Sequence, residues 1–151
     1  MSKSAIIDKL NDILKHEWTG VAQYAQQSFL VRGLWRAAYE EVFSDSAKEC
    51  FGHAKRVGDK IVAYGGVPTI ERNKVKQSHD VQTMLEDALE FEQQAVQGYL
   101  AALKVAEDDR ALVVLLEDLL LEEQDGVDEM EKLVREHSAA SASNPAKGKA
   151  G

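Results

Sequence analysis

Proline is scarce in this sequence, with only two in 151 residues, so long helices can run without interruption. The single cysteine, Cys50, cannot form a disulfide within the chain. One reduced cysteine fits a reducing compartment, and we expect a cytoplasmic protein. The first residues carry acids within their apolar part, so we expect no signal-peptide core there.

The sequence also has few basic residues relative to acidic ones and no long apolar run. The 26 acidic residues outnumber the 18 basic ones and give a net charge of -8. Duplex nucleic acid selects a basic face, so we expect no nucleic-acid partner. No apolar run approaches the roughly 20 residues that span a bilayer, so we expect no membrane partner. The chain is long enough to bury the core of one globular domain.

Apolar residues recur every three to four positions in four segments, which predicts four amphipathic helices. The predicted helices span about residues 4–34, 35–64, 81–106 and 111–136. Glycine and proline in GGVPT stop the second helix, and EDDR separates the last two. Residues 70–80 lack the helical pattern. The predicted fold is therefore all-α, a four-helix bundle with a long crossover between helices 2 and 3.

The carboxyl-terminal residues have a different composition. HSAASASNPAKGKAG is small, polar and bears glycine and proline, with no apolar periodicity. Such a segment cannot bury enough apolar surface to order itself. We therefore expect no clear fifth helix, and we assign residues 1–137 to the bundle and residues 138–151 to a flexible tail.

Each predicted helix carries unusual residues on the stripe that faces the bundle interior. These inward residues lie near the middle of their helices: Glu17, Cys50, His53, Glu92, Glu123 and Gly126. A lone polar residue on such a stripe is often a buried group that its neighbours satisfy. Three carboxylates at one level repel and desolvate one another, at roughly several kcal/mol each, unless a cation or protons neutralise them. The pattern therefore predicts a metal site.

Cys50 and His53 leave two interpretations open. Three residues apart on a helix, they share one face. A free cysteine is commonly a small buried hydrophobe, whereas a metal-bound thiolate suits zinc or a soft iron centre. A lone histidine is more often a core residue, but beside Glu17 and Glu123 we favour a ligand.

Other polar and aromatic side chains are expected to serve in packing or at the surface and not in metal binding. Tyr24 and Tyr99 should fill the core with their hydroxyls bonded to inward carboxylates. Four acids lie well off the inward stripe and should be solvated: Glu49, Glu90, Glu122 and Asp125. Three histidines should lie at the surface or in the tail: His16, His79 and His137. Three aromatic residues could form a dimer face or fill the core: Trp18, Phe29 and Trp35.

The two halves of the chain share a pattern. Residues 17–24 and 92–99 both read E-x-x-[GA]-V-x-x-Y. Downstream, Cys50-x-x-His53 in the first half corresponds to Glu123-x-x-Gly126 in the second. Merging the halves gives a Glu on one helix and Glu-x-x-His on the next, which is the ligand pattern of di-iron carboxylate bundles.

On these residues the chain resembles the ferritin-like superfamily, and within it bacterioferritin-type and related small ferritins. LNDILKHEWTGVAQY is similar to the first-helix stretch of that family, with Glu17 at a terminal ligand position. HAKRVGDKIVAYGGVPT is similar to the end of its second helix. The resemblance covers about residues 10–133. It implies a homo-oligomer, a dimer or a larger shell, that binds iron(II), oxidises it with oxygen or peroxide, and stores it or passes it on.

Two ligand positions depart from the family pattern. The family has a metal-bridging Glu where this chain has Cys50, and a His where it has Gly126. The first metal position keeps Glu17, His53 and Glu123, with Cys50 as a candidate fourth ligand. The second keeps only Glu92 and Glu123. The resemblance therefore implies an incomplete centre within the bundle.

These departures set the expected function. We expect a protein of the iron storage and oxidation lineage that binds iron, or another divalent metal such as zinc, at about one ion per bundle. Ferroxidase activity should be impaired. Haem is not expected, because Phe51 stands where haem-binding members have Met. The alternative is a structural or assembly subunit that kept the bundle and lost the metal chemistry.

Overall fold

The computed structural model describes residues 2–143, and in this range all regular structure is helical. The helices are Lys3–Leu30 (α1), Arg36–Ala63 (α2), Val81–Val105 (α3) and Arg110–Ala142 (α4), with a 3₁₀ turn at Gly33–Trp35. α1 packs along α2, α3 packs along α4, and α1 also contacts α3. The predicted all-α four-helix bundle with a long crossover is confirmed. Across residues 2–143, no helix has the length and apolarity that a bilayer crossing requires.

Short polar residues start three of the helices. The side chains of Ser2, Asp80 and Asp109 accept hydrogen bonds from backbone N–H groups in the first turns of α1, α3 and α4. α2 stops where Gly65 adopts a positive φ of 85°, and the N–H of Gly66 donates to the carbonyl of Ile61 at 2.9 Å. This glycine stop is the one predicted from GGVPT.

Two predicted boundaries are wrong. α1 ends at Leu30 rather than near residue 34, because Gly33 takes a positive φ of 83° and the chain turns there. The apolar stripe predicted too long a helix because Val31, just after the end of α1, is fully buried and continues the apolar pattern. α4 continues to Ala142, beyond its predicted end near residue 136. Alanines in its last turns favour helix. Residues 144–151, the rest of the predicted tail, lie outside the described residues.

The histidines do not all lie where the sequence placed them. His137 is buried, its Nδ1 lies 2.7 Å from Gln82 Oε1, and its ring packs edge-on against Trp35. This contact ties the last turns of α4 to the bundle. His16 is partly buried, stacks on the Phe91 ring and bonds through Nε2 to the Phe91 carbonyl. His79 is exposed, as predicted.

The bundle interior consists of two apolar clusters with a polar layer between them. One cluster, which includes Leu10, Ile61 and Leu116, fills one end of the bundle. The other, which includes Phe43 and Met84, fills the opposite end. The inward carboxylates and His53 lie between the clusters along each helix, so both clusters shield them from solvent.

The crossover lies along the outer face of α1. The Thr69 N–H donates to Asn11 Oδ1 at 2.9 Å, and Trp18 Nε1 donates to the Thr69 carbonyl at 2.9 Å. Farther along, the N–H of Asn73 donates to Thr19 Oγ1 at 2.8 Å. These bonds carry the chain back along the bundle, so α3 starts beside the end of α1 and runs antiparallel to it.

Candidate metal centre

The polar layer receives one side chain from each helix. Glu17 comes from α1, His53 from α2, Glu92 from α3 and Glu123 from α4. All four are buried, with at most 7% of the residue exposed. Their inward positions therefore agree with the sequence pattern, while their role as ligands stays a prediction.

Glu17, His53 and Glu123 form a compact group that we call the inner triad. His53 Nδ1 lies 2.7 Å from Glu123 Oε1 and 3.6 Å from Glu17 Oε1. One donor atom from each residue lies within 4.8 Å of the other two, which is compact enough to surround one ion. Among residues 2–143, Glu17 Oε2 is buried without a hydrogen-bond partner. Such an oxygen is costly to bury, and a bound cation would satisfy it. The inner triad therefore fits a metal ion.

Two tyrosines orient the carboxylates of the layer. Tyr24 donates its hydroxyl to Glu92 Oε1 at 2.6 Å, and Tyr99 donates to Glu17 Oε1 at 3.1 Å. Burial raises the pKa of both phenols well above the usual value, so both remain neutral donors. The predicted hydroxyl–carboxylate bonds are confirmed, and each links α1 to α3.

The other edge of the His53 ring meets two acids that the sequence assigned to a solvated face. His53 Nε2 lies 2.6 Å from Glu122 Oε2 and 3.8 Å from Glu49 Oε1. We call Glu49 and Glu122 the outer pair. Both are about half exposed, so their predicted exposure was right, but their approach to His53 was missed. The spacing of Glu49 and His53, four apart on α2, could have indicated one of these contacts.

Three groups of the layer have raised pKa values, which favours their protonated forms when no metal is bound. Burial lowers the pKa of His53, but hydrogen bonds to Glu123 and Glu17 outweigh it and raise the value to about 11. Burial raises the pKa of Glu123 to about 7, although His53 opposes this shift. Burial and the adjacent Glu123 carboxyl hold the pKa of Glu92 well above its usual value. The raised pKa of His53 favours the imidazolium form at neutral pH in the absence of a metal.

Cys50 belongs to neither the inner triad nor the outer pair. It is buried in the apolar cluster that also contains Phe91, and its sulfur faces Gly20, where an added Cβ would lie 2.5 Å from Sγ. Burial, followed by the nearby charges of Glu17 and Glu92, raises the pKa of the thiol well above its usual value. The geometry favours the buried-hydrophobe interpretation of Cys50.

The space beside Gly126 is taken in part by Glu92. A Cβ added to Gly126 would lie 2.8 Å from Glu92 Oε2. The Glu92 carboxylate therefore occupies part of the space that a side chain at position 126 would need. An open cavity of about 500 Å³ adjoins it, and its acidic lining consists of Glu49, Glu92, Glu122, Asp125 and Glu129. Glu92 thus lies at the floor of an acidic opening.

Comparisons with known proteins agree with the four-helix bundle. The family model Ferritin, described as the ferritin-like domain, matches residues 7–139. Among solved structures, the chain is similar to a Bacillus anthracis str. Ames protein described as a ferritin like, diiron-carboxylate protein. The two are 30% identical with a TM-score of 0.85, over 89% of this chain and 99% of that one. A comparison with curated proteins finds no match. Since the family model spans most of the sequence, this chain belongs to the ferritin-like family.

Proposed function

We propose that this protein binds one divalent metal ion inside its bundle, with iron(II) as the natural substrate. The observation that supports this most is the inner triad, in which three helices bring two carboxylates and an imidazole together and leave Glu17 Oε2 unpartnered. The similar Bacillus anthracis protein is described as a diiron-carboxylate protein, which supports iron. Zinc is accepted by the same donor set.

Each residue of the layer has a separate task in this proposal. Glu17 and Glu123 contribute oxygen ligands, and His53 contributes Nδ1. Tyr99 holds the Glu17 carboxylate through Oε1, and Oε2 has no hydrogen-bond partner. His53 must release its Nδ1 proton before it binds, so uptake of the ion releases a proton. When bound, iron would supply one-electron redox chemistry toward an oxidant such as oxygen or peroxide.

The second metal position has too few ligands to bind an ion tightly. It keeps Glu92 and Glu123, and Gly126 supplies no ligand. Burial raises the pKa of Glu92 well above its usual value, which disfavours the ionised form that binds metal, and Tyr24 already donates a hydrogen bond to its Oε1. We therefore propose that ferroxidase turnover, which depends on two irons to pass two electrons to oxygen, is impaired.

Metal analysis of the protein as purified tests this function. The protein is isolated without chelators, and its iron, zinc and manganese are quantified per chain beside a His53→Ala control purified in parallel. We expect about one ion per chain in the parent and a loss of most of it in the control. An equal metal content in both proteins would show that the metal lies elsewhere.

One observation favours a second function, that of a structural or assembly subunit. His53 lies 2.7 Å from Glu123 and 2.6 Å from Glu122, so an imidazolium can neutralise the layer in the place of a metal. A protein that lost its metal chemistry would be stable in this form. Retention of full stability and assembly after exhaustive chelation, with no metal regained from an iron(II) solution, would favour this alternative.

We also propose that the protein is a homo-oligomer of the cytoplasm, as a dimer or a larger shell. Large apolar side chains are exposed near the α1–α2 connection and on the crossover: Phe29, Leu34, Val67 and Ile70. Trp18 donates a hydrogen bond to the crossover, and Trp35, which is 38% exposed, packs against His137. Light scattering of the purified protein gives the assembly mass, and a strict monomer at all concentrations would exclude the oligomer.

A further inference from the structure

The imidazole of His53 is held from two opposite edges. Nδ1 faces Glu123 and Glu17 inside the bundle, and Nε2 faces Glu122 at the bundle surface. The ring itself is only 5% exposed, whereas the Glu122 side chain is 47% exposed. Water therefore has little access to the ring, and the orientation of the ring depends on its protein contacts.

We propose that Glu122 is a positioning residue that keeps the proton of His53 on Nε2 and so presents Nδ1 to a metal ion in the inner triad. This inference rests on the proposed metal-binding function. Glu122 acts through His53 and does not itself touch the ion.

The chemistry of the imidazole explains why this contact matters. A neutral imidazole carries one proton, and only the nitrogen without it can bind a metal. A carboxylate 2.6 Å from Nε2 accepts a short hydrogen bond from it and stabilises the tautomer that leaves the Nδ1 lone pair free. His53 is the one imidazole among the four side chains of the layer, so the affinity depends on this single ring.

The surroundings of Glu122 hold its carboxylate in place. Arg56 on α2 reaches toward α4, with its Nη1 4.0 Å from Glu122 Oε2 and its Nη2 3.0 Å from Asp118 Oδ2. Glu49 approaches the same nitrogen of His53 but stays 3.8 Å away, beyond hydrogen-bonding distance. Glu49 therefore shares the charge and the exposure of Glu122 without its contact, and it is a matched control.

Three variants separate contact from charge. Glu122→Ala removes both, Glu122→Gln keeps an acceptor oxygen but removes the charge, and Glu49→Ala removes a similarly exposed charge without a bond. Zinc affinity is measured for each by competition with a chelating dye. We expect about a 10- to 100-fold loss in Glu122→Ala, the range typical for residues that orient a metal-bound histidine. Glu122→Gln should lose clearly less, and Glu49→Ala should stay close to the parent.

Nitrogen-15 NMR of the His53 ring gives a readout that does not depend on metal affinity. In the metal-free protein, the Nε2 proton should give a slowly exchanging signal that is lost in Glu122→Ala and kept in Glu49→Ala. In the zinc-loaded parent, Nδ1 should carry the metal and Nε2 the proton. Metal on Nε2 would overturn the proposal and make Glu122 a ligand instead. Equal affinity losses in Glu122→Ala and Glu49→Ala would also overturn it.

Failure of the metal-binding function can be distinguished from failure of the positioning role. A parent protein that takes up no zinc would contradict the proposed function alone, because the Nε2 proton signal is measured without metal. In that case, loss of the signal in Glu122→Ala would still support the positioning role, and its survival would refute it.

Discussion

His53 Nδ1 and Glu123 Oε1 lie 2.7 Å apart in the buried layer at the middle of the bundle. This contact joins the second helix of one half of the chain to the second helix of the other. The imidazole of one half therefore meets the carboxylate of the other. The raised pKa of His53 favours a protonated ring when no metal is bound, and a metal ion that binds Nδ1 must displace the proton on that nitrogen.

The inner triad predicts unequal effects of two substitutions in the same layer. His53→Ala should weaken zinc and cobalt(II) binding by more than about 100-fold, beyond the usual effect of residues that only orient a ligand. Glu92→Ala should weaken the same binding by less than about tenfold, because Glu92 lies outside the triad and accepts a hydrogen bond from Tyr24. Competition titrations measure both. Equal losses would indicate a shared two-metal centre instead.

Restoring the two altered positions should restore a second metal. Cys50→Glu with Gly126→His supplies the carboxylate and the imidazole that the layer lacks, and the Glu92 carboxylate beside Gly126 must move to admit the new ring. We expect binding to rise from about one to about two ions per chain and ferroxidase turnover to exceed the parent. Each single variant is the control. A folded double variant that still holds one ion would show that the positions are wrongly matched.

Stability of the metal-free protein should fall as the pH rises. The pKa of Glu123 is raised to about 7 from an ordinary 4.5, and that of His53 to about 11 from 6.5. The native state therefore binds more protons than the unfolded chain between these values. The contribution of each group to the free energy of unfolding is complete below its pKa in the unfolded chain. It is lost as the pH rises through its pKa in the folded protein, by at most about 1.4 kcal/mol per pH unit for each proton.

Urea unfolding in the presence of a chelator, at about pH 5, 7 and 9, measures this slope. His53→Gln removes the imidazole proton and should flatten the curve between about pH 7 and 9 relative to the parent. Parallel curves for the two proteins would contradict the assigned charge on His53.

Packing around Cys50 predicts opposite effects at two helical glycines. A Cβ at Gly20 would meet the Phe91 ring and the Cys50 sulfur, whereas a Cβ at Gly52 meets nothing within 4 Å. Gly20→Ala should therefore destabilise the protein by about 1–3 kcal/mol, as overpacked cores do. Gly52→Ala should stabilise it by up to about 1 kcal/mol because alanine favours helix. Thermal and urea unfolding measure both, and a stabilising Gly20→Ala would refute this packing.

The sequence predicts the polar layer well because burial follows helical period. The spacing of Glu17, His53, Glu92 and Glu123 sets which face each residue occupies, and all four are buried. The contact between Glu122 and His53 was not predictable in this way. It depends on how α2 and α4 are rotated against each other, which no single-helix pattern encodes.

Side-chain direction is the other quantity that spacing does not fix. Cys50 lies on the predicted inward face, yet its sulfur faces Gly20 and not the inner triad. The rotamer and the absence of a side chain at Gly20 decide that direction. His137 was misplaced for a related reason, because its burial depends on Trp35 and Gln82 from distant parts of the chain.

Calorimetric titration of the chelator-treated protein tests the central claim most directly. Zinc, cobalt(II) and, under anaerobic conditions, iron(II) are each added to the parent and to His53→Ala. We predict saturation at about one ion per chain in the parent, with a proton released on binding, and a large loss of affinity in the variant. Absence of binding heat with all three metals in several buffers, or two equivalent ions per chain, would contradict the account.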